Sequence, residues 1–182
     1  MRFKEGDVLL FGGDSLFGKI ISKLTNSKWN HVGIIQEVNK ETKCYLVAES
    51  VERGFVNLRK NGELNYYTEE YILNRIKEKT MLVRRAKKKL SNVNDIIVKY
   101  LKTRYSWIGI WNDFMWIKFH RTSIFYKKGE KEMVCSEAVV RCLYDMSSKK
   151  INFEEEFLKD FDIIFPSDIS ISTQMEDINV NE

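Results

Sequence analysis

Apolar and polar positions along this chain follow two rhythms, one of strands and one of helices. Val8-Leu9-Leu10-Phe11 is an unbroken apolar run of strand length, the mark of a buried strand, and Gly12-Gly13 ends it. Leu16, Phe17, Ile20, Ile21 and Leu24 then recur at helical spacing, with Asp14 or Ser15 placed to cap that helix and Thr25-Asn26-Ser27 to close it. His31 to Gln36 reads as a second strand, Asn39 to Thr42 as a hairpin loop, and Cys44 to Glu49 as the returning strand. Gly54 marks a turn before a short strand over Phe55 to Leu58. Tyr66 to Ile76 has a helical pattern, and Thr80 to Arg84 reads as a further strand. Asn92 or Asn94 can cap a helix carrying Ile96, Ile97, Tyr100 and Leu101. The clearest late helix runs from Cys135 to Tyr144, with Ala138, Val139, Cys142 and Leu143 on its apolar face. The end of the chain, from Ser170, is polar and acidic and is expected to fray.

The chain has 182 residues, which favours one folded unit over residues 1–170 followed by a flexible tail over 171–182. Its net charge of +4 is too mild to argue for nucleic acid, and no specific nucleic-acid partner is expected. The densest basic run, Arg84, Arg85, Lys87, Lys88 and Lys89, most often means a solvated loop. The 3 cysteines, Cys44, Cys135 and Cys142, match no zinc spacing, and only 2 histidines could assist them, so neither a metal nor any other cofactor is implied. Reduced thiols fit a cytoplasmic setting, and the N-terminus enters a strand with no room for a signal peptide. No uncharged apolar run reaches membrane-spanning length, although contact with a membrane surface is left open.

A cysteine nucleophile needs a thiolate, a base and a group that orients the base. Cys135 stands at the start of a helix, where unpaired amide N–H groups and the helix dipole favour a thiolate and could hold a developing oxyanion. The base must be His31 or His120. His31 opens one strand of the hairpin and Glu49 closes the other, so adjacent antiparallel strands can set the imidazole beside the carboxylate. Taken singly, each of these residues has a commoner structural meaning: a packed thiol, a solvated histidine, a surface glutamate.

Together the segments resemble a known family. Gly6-Asp7-Val8-Leu9-Leu10-Phe11, Trp29-Asn30-His31-Val32-Gly33-Ile34-Ile35, Ala48-Glu49-Ser50, Val134-Cys135-Ser136-Glu137 and Pro166-Ser167-Asp168 occur in that order. The pattern resembles the permuted branch of the NlpC-like, papain-fold cysteine hydrolases, typified by YiiX-like proteins and a related poxvirus family. It implies an α+β papain-like fold in circularly permuted order, with a small antiparallel sheet packed against a helix that starts at the nucleophilic cysteine. By that resemblance Cys135 is the nucleophile, His31 the base and Glu49 its orienting carboxylate. Trp29, Asn30, Ser136 and Tyr105 are the candidate substrate contacts. The implied reaction cleaves an amide or ester, in a peptide, a peptidoglycan-like molecule or a lipid acyl group, through a thioester on Cys135. A lipid-directed acyltransferase or thioesterase, or a non-catalytic module binding peptide or lipid, is the alternative on the same fold.

Three features compete with this reading. Gly13 to Lys19 nearly spells a phosphate-binding loop, but Ile20 stands where the motif needs Ser or Thr. Cys142 lies two turns into its helix and is expected to be buried and inert, while Cys44 lacks a helix N-terminus. His120, among Lys118, Phe119 and Arg121, sits in a basic setting. The aromatic stretch Trp107, Trp111, Phe114, Met115 and Phe119 reads as core or a packed flap, or more sharply as an apolar wall beside the cleft.

Overall fold

The computed structural model describes residues 2–13, 16–51, 54–101, 103–105, 132–133 and 135–178; for Leu16, Phe17, Ile20, Leu24, Tyr105, Glu132, Met133 and Cys135 it describes the backbone alone. The caps expected at Asp14 or Ser15, the aromatic stretch 107–125 and His120 lie outside the described residues.

The architecture is α+β. Strands β1 (Val8–Phe11), β2 (His31–Asn39), β3 (Cys44–Val51), β4 (Gly54–Val56), β5 (Tyr66–Thr68), β6 (Met81–Ala86) and β9 (Met175–Asp177) make a 7-stranded sheet in the order β4-β3-β2-β1-β6-β9, with β5 pairing β3. Every one of these pairings is antiparallel. A separate pair, β7 (Arg104–Tyr105) and β8 (Glu132–Met133), is parallel and runs beside β4. The helices are α1 (Leu16–Thr25), α2 (Glu69–Lys77), α3 (Val93–Tyr100), α4 (Cys135–Met146), α5 (Phe153–Phe157) and α6 (Pro166–Ile171), with a 3-10 turn at Phe161–Ile163. Among the described residues no helix is long and apolar enough to cross a membrane.

Both faces of the central strands are covered, and this explains the unbroken apolar run of β1. Val8 and Leu10 point to one side with Val32, Ile34, Ala48 and Phe55, against Ala138, Val139, Cys142 and Leu143 of α4 and Ile97 of α3. Leu9 and Phe11 point to the other side with Ile35, Val47 and Tyr45, against Ile72 of α2. A strand buried on both faces carries no polar alternation. Each large side chain removed from water in this way contributes roughly 1.5–3 kcal/mol before the entropy of ordering is subtracted.

Two expectations from sequence are corrected. Tyr66 to Thr68 is not the first turn of a helix. It pairs as a strand with Cys44, Tyr45 and Leu46, and α2 begins after it, with the Thr68 hydroxyl accepting the Tyr71 N–H at 3.1 Å as its N-cap. The segment after Ser170 does not simply fray. Met175–Asp177 pairs with Arg84, Arg85 and Ala86 as an edge strand, and Ile178 packs against the Ile72 side of the core.

Candidate functional site

The hairpin of β2 and β3 builds the site. Asn39 closes its turn, its side-chain oxygen accepting the N–H groups of Glu41 and Thr42 at 3.1 Å each. The register sets Gly33 opposite Glu49 and Ile35 opposite Val47. His31 is two residues before Gly33 and so shares its face, as period two requires. The imidazole Nε2 and Glu49 Oε2 are 2.6 Å apart. Gly33 makes this approach available: a Cβ there would stand 2.8 Å from Glu49 Cγ and 3.0 Å from Val47 Cγ1.

The other carboxylate oxygen is held from β5 and the loop before it. Tyr67 donates its hydroxyl to Glu49 Oε1 at 2.7 Å, and Asn65 donates its amide to the same atom at 2.8 Å. Burial by itself would raise the Glu49 carboxyl. The hydrogen bond and charge of His31, with the bonds from Tyr67 and Asn65, override that and hold it below its ordinary value. The Tyr67 hydroxyl is pushed far up by its burial and then by the neighbouring Glu49 charge, so it acts as a donor. Phe11 completes the setting, its ring centroid 5.4 Å from that of His31 and 6.2 Å from that of Tyr67. The His31 side chain keeps 28 % of its surface exposed, while Glu49 keeps 11 %. Both face a cavity of about 720 Å³ whose wall includes Ser50, Val56, Leu58, Arg59 and Lys60. With Glu49 on Nε2, Nδ1 is the nitrogen through which His31 would take a proton from a nucleophile.

Cys135 is the first residue of α4, as expected, but its side chain lies outside the described residues, and so does the expected sulfur-to-imidazole approach. Its backbone position has a definite relation to the pair. Strand β8, two residues earlier, runs beside β4, whose Val56 is the partner of Glu49. The N-terminal end of α4 therefore lies toward the His31 end of the sheet. The body of α4 packs on the face carrying Val32, Ile34 and Ala48, whereas His31 and Glu49 share the face covered by α2.

The remaining candidates divide as follows. Asn30, a candidate substrate contact, makes its hydrogen bonds inside the fold. It is buried, its amide donates to Gly13 O at 2.9 Å and Ser22 Oγ at 3.0 Å, and its oxygen accepts the Gly13 N–H at 3.1 Å. It clamps the segment after β1 to the start of β2. Trp29 is half-buried against the α4 side of the core, with Lys28 Nζ 4.5 Å from its ring, and does not line the His31 cavity. Ser136 is buried at the second position of α4. The Tyr105 side chain lies outside the described residues. Of the rival thiols, Cys142 is fully buried and its pKa is driven well up by that burial, then by Asp145, so it is inert. Cys44 is half-exposed and donates to Thr42 O at 3.4 Å. Sequence reasoning missed Gly33, Asn65 and Tyr67. The signal for Gly33 was its place two residues after His31; Tyr67 was hidden inside an apparent helix. Among the described residues no group of three or more His, Cys, Asp or Glu side chains could hold a metal ion.

Neither a protein-family model nor a curated protein matches the chain. Among solved structures, the crystal structure of the metalloprotein yiiX from Escherichia coli O157:H7 (DUF1105) is similar, with a TM-score of 0.60, 16 % sequence identity and 98 % of each chain covered. At that identity the likeness establishes a shared fold: this chain has the α+β architecture of yiiX.

Proposed function

We propose that this protein is a cysteine hydrolase of permuted papain-like type that cleaves an amide or ester through a thioester on Cys135. The observation that carries the reading is the 2.6 Å contact of His31 Nε2 with a buried carboxylate that Tyr67 and Asn65 brace from behind. A surface histidine needs no such support. An imidazole that must cycle between neutral and protonated states does, because the carboxylate fixes its tautomer and stabilises the cation.

In this reading His31 Nδ1 takes the Cys135 proton and the thiolate adds to the acyl carbon. The backbone N–H groups at the start of α4, a 12-residue helix, receive the oxyanion. The bond to the leaving nitrogen or oxygen breaks as that atom takes the proton from the imidazolium. Water, deprotonated by His31, then opens the thioester to release a carboxylic acid and restore the thiol. The solved structure of like fold is that of a metalloprotein, whereas among the described residues of this chain no group of three or more His, Cys, Asp or Glu side chains could hold a metal ion.

One observation favours a second reading, a non-catalytic module that holds peptide or lipid. The register sets His31 and Glu49 on the face of the sheet that α2 covers, whereas the body of α4 packs on the opposite face. Alkylation separates the two. Iodoacetamide labelling, mapped by peptide mass spectrometry, should modify Cys135 at least tenfold faster than Cys44 near neutral pH, and His31→Ala should remove that advantage. Equal labelling of Cys135 and Cys44 in the native chain would favour the binding module.

A further inference from the structure

A second cavity, of about 730 Å³, lies at the opposite end of the hairpin from His31. His31 opens β2 and Val38, in the wall of this cavity, lies seven residues further on, roughly 23 Å along an extended strand. Four separate segments converge there: Phe3 to Asp7 ahead of β1, Val38 and Lys40 at the end of β2 and its turn, Arg85 and Ala86 at the end of β6 with Lys88 to Leu90 beyond it, and Val93 at the start of α3.

The lining has two characters. Phe3 is buried, and Val38, Leu90 and Val93 are half-buried; together they give it an apolar floor. Leu90 can close over Gly6 only because Gly6 has no side chain, since a Cβ there would stand 2.5 Å from Leu90 Cδ1. The rim is cationic. Lys4, Lys40, Lys88 and Lys89 are exposed, and among the described residues none of their ammonium groups takes part in an ion pair. Arg85 is the fifth cation, held at 2.7 Å by the buried Asp7, which anchors the rim and uses up that carboxylate. Glu5 is the other acid in the wall. Part of the basic run after β6 is therefore gathered, with lysines from two distant segments, around a concave apolar surface.

We propose that this groove binds an anionic amphiphile: a ligand whose single phosphate or carboxylate head is held by Lys4, Lys40, Lys88 and Lys89 and whose apolar body lies on Phe3, Val38, Leu90 and Val93. Four lysines around one opening, against the single carboxylate of Glu5 beside the Arg85-bound Asp7, favour an anion, and the apolar floor distinguishes this ligand from a bare ion or a nucleic-acid backbone. The proposal does not depend on the thiol chemistry at the other end of the hairpin.

Octyl phosphate and inorganic phosphate, titrated separately into the full chain by calorimetry, test it. Octyl phosphate should bind more tightly than inorganic phosphate. Lys88→Gln/Lys89→Gln should weaken it by roughly 30-fold, and Lys4→Gln/Lys40→Gln by a similar factor, as two lost charges predict. The charge-matched control Lys19→Gln/Lys23→Gln on α1 should bind as the native chain does. Sedimentation with phosphatidylcholine vesicles, with or without phosphatidylglycerol, identifies the source of the head group. Pelleting that needs phosphatidylglycerol and is lost in Lys88→Gln/Lys89→Gln means a bilayer lipid. Binding of octyl phosphate without pelleting means a dissolved ligand. The proposal is overturned if octyl phosphate binds no better than inorganic phosphate, if neither binds, if a short oligonucleotide competes equally well, or if the α1 control loses as much affinity as the rim variants.

Discussion

The Tyr67 hydroxyl lies 2.7 Å from Glu49 Oε1, the carboxylate oxygen that His31 leaves unused. A tyrosine from β5 thus braces, from the far side, a glutamate on β3 that orients a histidine on β2. Tyr67→Phe removes that donor and keeps the ring against Phe11. The expected cost is about 1.5 kcal/mol, the lower end of the range for a hydrogen bond to a charged group, together with a rise in the Glu49 pKa. Urea denaturation measures the first, and the pH dependence of the His31 ring resonances by NMR reports the second. If neither moves, Asn65 alone suffices to hold the carboxylate.

Gly33→Ala should damage the same pair from the front. The added methyl would meet Glu49 Cγ at 2.8 Å and Ala48 O at 3.1 Å, so the Glu49 side chain must swing away from His31. The expected loss of stability is roughly 1–3 kcal/mol, as for other overpacked sites. A crystal structure of the variant should show the His31–Glu49 contact broken. An unchanged contact and an unchanged denaturation midpoint would mean the strands have slack here.

Acid should act on the fold through Glu49. Its pKa in the fold lies below the ordinary 4.5, so the unfolded chain binds this proton more readily. The stability it contributes is therefore fully present above pH 4.5 and is lost as the pH falls through the lower, folded value. Thermal midpoints between about pH 3 and pH 6 should fall more steeply for the native chain than for Glu49→Gln, which has no such proton to bind. Parallel curves would show that the pair contributes no pH-dependent stability.

The two thiols with described side chains should behave in opposite ways. Cys142 is fully buried among Ala138, Val139 and Leu143, so Ellman's reagent should reach it only after unfolding, whereas Cys44 should react in the native chain. Cys142→Ala should cost on the order of 1 kcal/mol, the loss of one buried heavy atom, and leave any hydrolase activity intact. Rapid native labelling of Cys142 would require α4 to leave the sheet.

The hydrophobic pattern by itself determined most of the elements, because each strand and helix buries its own apolar side chains and that need is written at its own positions. The strands from Val8, His31, Cys44 and Met81 and the helix from Cys135 were legible for this reason. So was the nearness of His31 to Glu49, 18 residues apart, since a hairpin with an Asn39 turn brings its strand ends together. Tyr66 to Thr68 was not legible: three residues become a strand only because Cys44 to Leu46 offers a free edge, and that edge belongs to another segment. The clamp made by Asn30 depends likewise on Gly13 and Ser22, which its own neighbourhood does not announce. Tertiary structure also decided which side of the sheet holds the pair. Strands covered on both faces by helices carry apolar residues at every position, so their sequences do not record which alternate side chains meet α2 and which meet α4. Only the packing of those helices assigns His31 and Glu49 to the α2 face.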